Sequence, residues 1–140
     1  MAVQYLQNPP RNLAQALLRG VRQQCPSCGD GHLFDRYLKV TPTCVQCGEE
    51  LHHHRADDAP PYFTILIVGH IIVPLVLMVE TLYRPELWLH AVVWLPVTVA
   101  LALVALPVIK GALVNYQWAL YMHGFDPQER EAAHQPSHPL

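Results

Sequence analysis

Residues 25–48 read CPSCGDGHLFDRYLKVTPTCVQCG, and they hold every cysteine of the chain: Cys25 and Cys28 in one C-x-x-C-G, Cys44 and Cys47 in a second. The C-x2-C-x15-C-x2-C spacing is that of a tetrathiolate metal site. Each C-x-x-C-G predicts a tight knuckle that aims two thiolates at one point. Gly29 and Gly48 supply the positive φ that such a turn requires. Between the knuckles, Phe34, Tyr37, Val40 and Thr41 favour strands, so a β-hairpin over about 33–43 is expected to carry the second knuckle back to the first. A ribbon of roughly 30 residues buries too little apolar surface to fold alone, whereas a structural zinc contributes about 10–16 kcal/mol. Zn2+ is therefore the expected cofactor, closed by four cysteines and structural rather than catalytic. A rubredoxin-like iron centre at the same four thiolates is the alternative, with two disulfides a third.

Downstream the composition changes. The whole chain of 140 residues is 51% hydrophobic and 14% charged, but the apolar residues crowd into its second half. There are 21 residues without formal charge between Asp58 and Glu80, and 23 between Glu86 and Lys110. Each run is long enough for a helix to cross ~30 Å of hydrocarbon. The connecting ETLYRPE is short and carries the Arg84-Pro85 turn signal, so the two runs predict an antiparallel transmembrane hairpin with both ends on one side. Arg36, Lys39, Arg55 and Lys110 lie toward those ends and Arg84 alone lies in the connection, which places the ends in the cytoplasm; reduced metal-binding thiols fit the same compartment.

Within the hairpin, Pro74 frees the carbonyl of His70, an ionisable residue at bilayer depth and a functional candidate by default. Antiparallel geometry brings Glu80 to the depth of His90, where the two could pair. His70 lies ~15 Å further down and cannot share a metal with His90 inside one hairpin. Two helices are also too few to enclose a transport path, so any transport would need a homo-oligomer or partner.

Upstream, the first 25 residues contain no 7–15-residue apolar block, so a cleaved signal peptide is not expected. Leu13, Ala14, Leu17, Leu18 and Val21 share a helical face, with Arg11, Arg19 and Arg22 off it and Asn12 as N-cap. That amphipathic helix is expected to lie on anionic lipid, with packing on the ribbon as the alternative. After the second run, GALVNYQWALYMHGF is uncharged yet too polar for hydrocarbon. It predicts an interfacial or protein-covered extension ending at His123-Gly124, followed by a disordered tail. The organisation is thus an amphipathic helix over 1–22, a zinc ribbon over 23–50, a linker over 51–61, transmembrane helices over 62–83 and 87–109, an extension over 110–124 and a tail over 125–140.

The linker LHHHRADDAPPYF could be a hinge or a second metal site. Asp57 and Asp58 suit the positive end of the following helix and Pro60-Pro61 its first turn. His53, His54, Asp57 and Asp58 could also approach one another as ligands. The net charge of −2, with no basic run, argues against nucleic acid as a partner. No nucleophile–base pair, phosphate loop or open metal site is discernible, so no enzymatic activity is expected.

The succession CPSCG, LFDRYLKV, CVQCG, ADDAPPYFTILIVGHIIVPLVLMVE and IKGALVNYQWALYMHGFD, spanning roughly Gly20 to Asp126, resembles a bacterial inner-membrane family catalogued as "domain of unknown function 983". The resemblance implies a zinc ribbon with two membrane helices. It carries over Cys25, Cys28, Cys44 and Cys47, then Asp57, Asp58 and Pro60, and the Lys110-Gly111 and His123-Gly124 pairs. Genes of such proteins often neighbour those of haem-copper oxidase subunits and assembly factors, which implies an accessory role in building a respiratory oxidase. Metal or electron handling is the competing expectation, through iron at the four cysteines or copper at the His and Asp cluster.

Overall fold

The computed structural model describes residues 8–55 and 58–134. In chain order they form α1 (Leu13–Val21), β1 (Phe34–Arg36), β2 (Lys39–Val40), α2 (Ala59–Tyr83), α3 (Leu87–Ala119), a 3-10 turn (His123–Phe125) and α4 (Pro127–His134). An N-terminal helix, a four-cysteine β-hairpin and two long apolar helices in mutual contact are the architecture expected from the sequence.

The two long helices account for the elongated part. At ~1.5 Å per residue, the 25 residues of α2 span about 37 Å and the 33 residues of α3 about 50 Å. Both are apolar on all sides, as expected of helices that could cross a membrane rather than of amphipathic surface helices. Pro60 and Pro61 preset the first turn of α2 after Asp58, which takes the N-cap position without a side-chain capping bond. Arg84, in the left-handed conformation at φ 44°, ends it. The seam with α3 follows Pro60, Thr64, Val68 and Ile72, an i, i+4 row of buried positions. Beyond that seam most large apolar side chains, Ile65, Leu77 and Leu95 among them, are uncovered.

The head is assembled around the part of α3 that outruns α2. Leu33, Val40 and Leu51 of the ribbon pack with Cys25, Cys44 and Val114, and a second cluster joins Ala16 of α1 to Trp118, Ala119 and Phe125. The polar stretch after Lys110 is therefore covered by protein. It is no separate element: α3 runs through Lys110 unbroken and stops at Ala119, five residues before the expected end, where Tyr121 and His123 turn the chain with φ of 54° and 56°.

The face of α1 turned to the protein is Ala16 and Gly20, packed on α3, and Arg19 donates to the ribbon carbonyls of Pro26 (2.8 Å) and Ser27 (2.9 Å), while Leu13, Leu18 and Val21 stay exposed. Gly20 and Gly111 make this possible, because a Cβ on Gly20 would stand 2.5 Å from the Gly111 carbonyl oxygen. The buried Asn115 then donates from Nδ2 to the carbonyls of Ala16 (2.8 Å) and Gln24 (3.3 Å). Asn12 caps α1 as expected, its side chain accepting from the Gln15 N–H at 3.1 Å. Arg11 lies over the rings of Trp118 and Tyr121 and donates to the Trp118 carbonyl at 2.7 Å, satisfying one of the last carbonyls of α3. The tail, expected to be disordered, forms α4 as far as His134; Arg130 on that helix reaches Glu50.

Candidate metal centre

The two knuckles are built alike. In each, a glycine with φ near 75° donates its N–H to the carbonyl of the leading cysteine, Gly29 to Cys25 and Gly48 to Cys44, both at 2.9 Å. Each leading cysteine then donates its own N–H to a residue beyond the turn: Cys25 to Gly31 (2.8 Å) and Cys44 to Glu49 (2.9 Å). The hairpin between them is antiparallel, pairing Phe34 with Val40 and Arg36 with Lys39, with an irregularity at Asp35. Gly31 is a site residue that the spacing did not flag. A Cβ there would collide with the Sγ of Cys44, so only glycine lets the second knuckle close on the first.

The four sulfurs lie within 4.8 Å of one another. Cys25 and Cys47 Sγ are 3.7 Å apart, and Cys28 and Cys44 Sγ 3.8 Å. A tetrahedron with metal–sulfur bonds of ~2.3 Å has edges of about 3.8 Å, so the sulfurs already stand at the corners of a metal site. All four are free thiols rather than disulfides. Without a metal the thiols are unequal. Burial pushes Cys25 well above the usual thiol range and raises Cys47, whereas the backbone N–H groups of Gly31 and Asp30 hold Cys28 at about 7. A cation that replaces the protons removes this mismatch, and the soft all-sulfur donor set fits zinc or iron.

The linker histidines are grouped differently from the expectation. Leu51 is fully buried and its N–H donates to the Pro42 carbonyl at 2.8 Å, which fixes the register after the ribbon. That anchor turns Glu50, His52 and His53 toward one another, with ligand-capable atoms within 4.8 Å. His54 and Asp58 do not join the group, and Asp57 lies outside the described residues. The Glu50 carboxyl is held below the usual range, first by its hydrogen bond to His53 and then by Arg130.

Of the candidates in the long helices, Glu80 and His90 pair as anticipated, with Oε2 and Nε2 2.9 Å apart. His70 does not face α3. It is exposed, its Nδ1 lies 2.6 Å from the Leu66 carbonyl of its own helix, and it borders a groove with Ile65, Gly69, Val73 and Pro74. The ribbon is also tied to α3 by two hydrogen bonds. Pro107 cannot donate to the Leu103 carbonyl, and the Tyr37 hydroxyl takes that acceptor at 2.5 Å. Next to it, Lys110 Nζ donates to the Leu38 carbonyl at 2.7 Å.

Residues 34–118 match the family model described as "Protein of unknown function (DUF983)", and the chain belongs to that family. The matched stretch holds the second knuckle, the whole of α2 and all of α3 but its last residue; the first knuckle lies ahead of it. No curated protein and no solved structure gives a match.

Proposed function

We propose that the protein is a non-enzymatic accessory protein of the bacterial inner membrane, whose metal-held cytoplasmic head and two-helix hairpin dock onto a larger membrane complex. His70 is the observation that carries this reading. It places an ionisable ring on the outer face of a predominantly apolar helix, and the ring nitrogen not turned to Leu66 has no partner among the described residues. Leaving that nitrogen unpaired in hydrocarbon costs ~1–3 kcal/mol, which a polar group on a neighbouring protein would offset.

The membrane itself is supported by the uncovered aliphatic faces of α2 and α3, which in water would far exceed the few hundred Å2 of apolar patch that soluble monomers expose. The placement of Arg36, Lys39, Arg55 and Lys110 at the head end supports a cytoplasmic head with both termini on that side. There Leu13, Leu18 and Val21 of α1 rest on the lipid surface. Zinc is the metal of the four-cysteine site: four thiolates form a closed tetrahedron with no position left for substrate, which supports a structural role.

The partner we assign is a respiratory haem-copper oxidase or one of its assembly factors, on the strength of the family resemblance alone. A photo-crosslinker at Ile71 or Val73, followed by identification of the captured protein from native membranes, tests the docking face. A deletion strain assayed for oxidase haem and copper tests the pathway. Capture of an oxidase component together with reduced oxidase content is expected. Unchanged oxidase content without a respiratory partner would overturn the assignment, and capture of a second copy would make His70 a homo-oligomer contact.

A further inference from the structure

We propose that Glu50, His52 and His53 form a second metal site, open to ligands and suited to a divalent ion such as Zn2+ or Cu2+. The site is independent of the docking reading above. Two imidazoles and one carboxylate are a donor set that zinc and copper favour, and three protein ligands leave at least one coordination position free. The closed tetrathiolate offers no such position.

The geometry is set before any ion arrives. His53 Nε2 and Glu50 Oε2 are joined by a hydrogen bond of 2.9 Å, which already holds the two ligand residues face to face. The rings of His52 and His53 lie 4.0 Å apart between centroids, tilted by 38°, and one nitrogen of each lies within 4.8 Å of the carboxylate. Each histidine is also held from behind. His52 Nδ1 is turned to the Pro42 carbonyl at 3.4 Å, which favours the tautomer with the lone pair on Nε2. His53 is lodged against Gly124, where a Cβ would collide with its ring, and against the edge of Phe125. A backbone carbonyl behind one imidazole and a packed pocket behind the other are the supports that orient histidine ligands in metal sites. Arg130, whose Nη1 is 2.6 Å from Glu50 Oε2, keeps the carboxylate ionised and leaves Oε1 to the ion.

The site opens on the head surface, with Glu50 about half exposed (45%) and His53 partly so (18%). An ion there can take a ligand from solvent or from a partner, because three protein ligands do not close its coordination.

The test is metal stoichiometry of the untagged full-length protein in detergent, titrated with Zn2+ alone. Two equivalents per chain are expected in the wild type, the second lost at least tenfold more readily in His52→Ala and absent in His52→Ala/His53→Ala, which retains the first. His54→Ala retains both. With Cu2+ as probe, the second equivalent should give an electron paramagnetic resonance spectrum coupled to two imidazole nitrogens. His52 is exposed, so its variant leaves the fold intact even where His53→Ala disturbs the packing at Gly124. Saturation of the wild type at one equivalent would overturn the site, as would a second equivalent that survives the double substitution or disappears with His54.

Discussion

Substituting Gly20 by alanine tests how the head is mounted on α3. The added Cβ would stand 2.5 Å from the Gly111 carbonyl oxygen, 2.8 Å from Ala112 Cα and 2.9 Å from Gly111 C, all backbone atoms that no rotamer change can move. Ordinary contact begins near 3.4 Å, so α1 must withdraw by about 0.9 Å. That stretches the 2.8 Å bond from Asn115 to the Ala16 carbonyl to about 3.7 Å, beyond hydrogen-bonding range. Leaving the buried amide without this acceptor costs ~1–3 kcal/mol, overpacking adds ~1–3 kcal/mol where withdrawal is incomplete, and the better helix propensity of alanine returns ~1 kcal/mol. The net is about 1–5 kcal/mol against docking of α1; its middle value of ~3 kcal/mol is roughly a 150-fold rise in the undocked population. Arg11, Arg19 and Arg22 make α1 a trypsin target, so cleavage should accelerate by that factor when opening is fast relative to cutting. Gly69→Ala is the control, since a Cβ there meets nothing within 4 Å. Cleavage of Gly20→Ala at the wild-type rate would refute the glycine contact as the mount.

Metal analysis of the purified protein should find zinc at the four cysteines; one iron per chain with a rubredoxin-like absorption spectrum would replace it. Cys44→Ser, or prolonged chelation, should unfold the ribbon and raise amide exchange throughout residues 25–51, whereas retained protection would contradict a structural metal. Tyr37→Phe removes the hydroxyl from the Leu103 carbonyl and should lower hairpin stability by ~1 kcal/mol, read as about fivefold faster exchange of the amides between Phe34 and Val40. A double-mutant cycle on Glu80 and His90 should give a coupling of no more than ~1 kcal/mol, because the Glu80 side chain is half exposed (52%); a much larger value would mean the pair is enclosed by a partner.

The features legible in the sequence are those with a local signature. Charge-free runs announced α2 and α3, and their shared boundary near Arg84 is where the turn dipeptide put it. The cysteine spacing announced the four-sulfur cluster. What escaped was set by pairs remote in sequence. Gly20 and Gly111 are 91 positions apart, and neither is unusual until the two backbones meet. Asn115 was visible as too polar for hydrocarbon, but its acceptors on Ala16 and Gln24 were not. In the linker, residue type suggested the ligands, but the register set by Leu51 decided which histidines turn inward, and it chose His52 and His53 with Glu50 over His54 and Asp58. Helix α4 was hidden by the prolines around it, although QEREAA between them is rich in helix formers.

The overhang of α3 has a consequence for biosynthesis. The knuckles and α1 leave the ribosome first, yet the wall that completes their core, from Gly111 to Phe125, is translated only after both apolar helices. A nascent chain can capture its metal early, but Leu33, Leu51 and Ala16 remain without Val114, Trp118 and Phe125 until the end of α3 and the turn after it have been made. The head thus matures last. A chain interrupted before Gly111 keeps that apolar surface open.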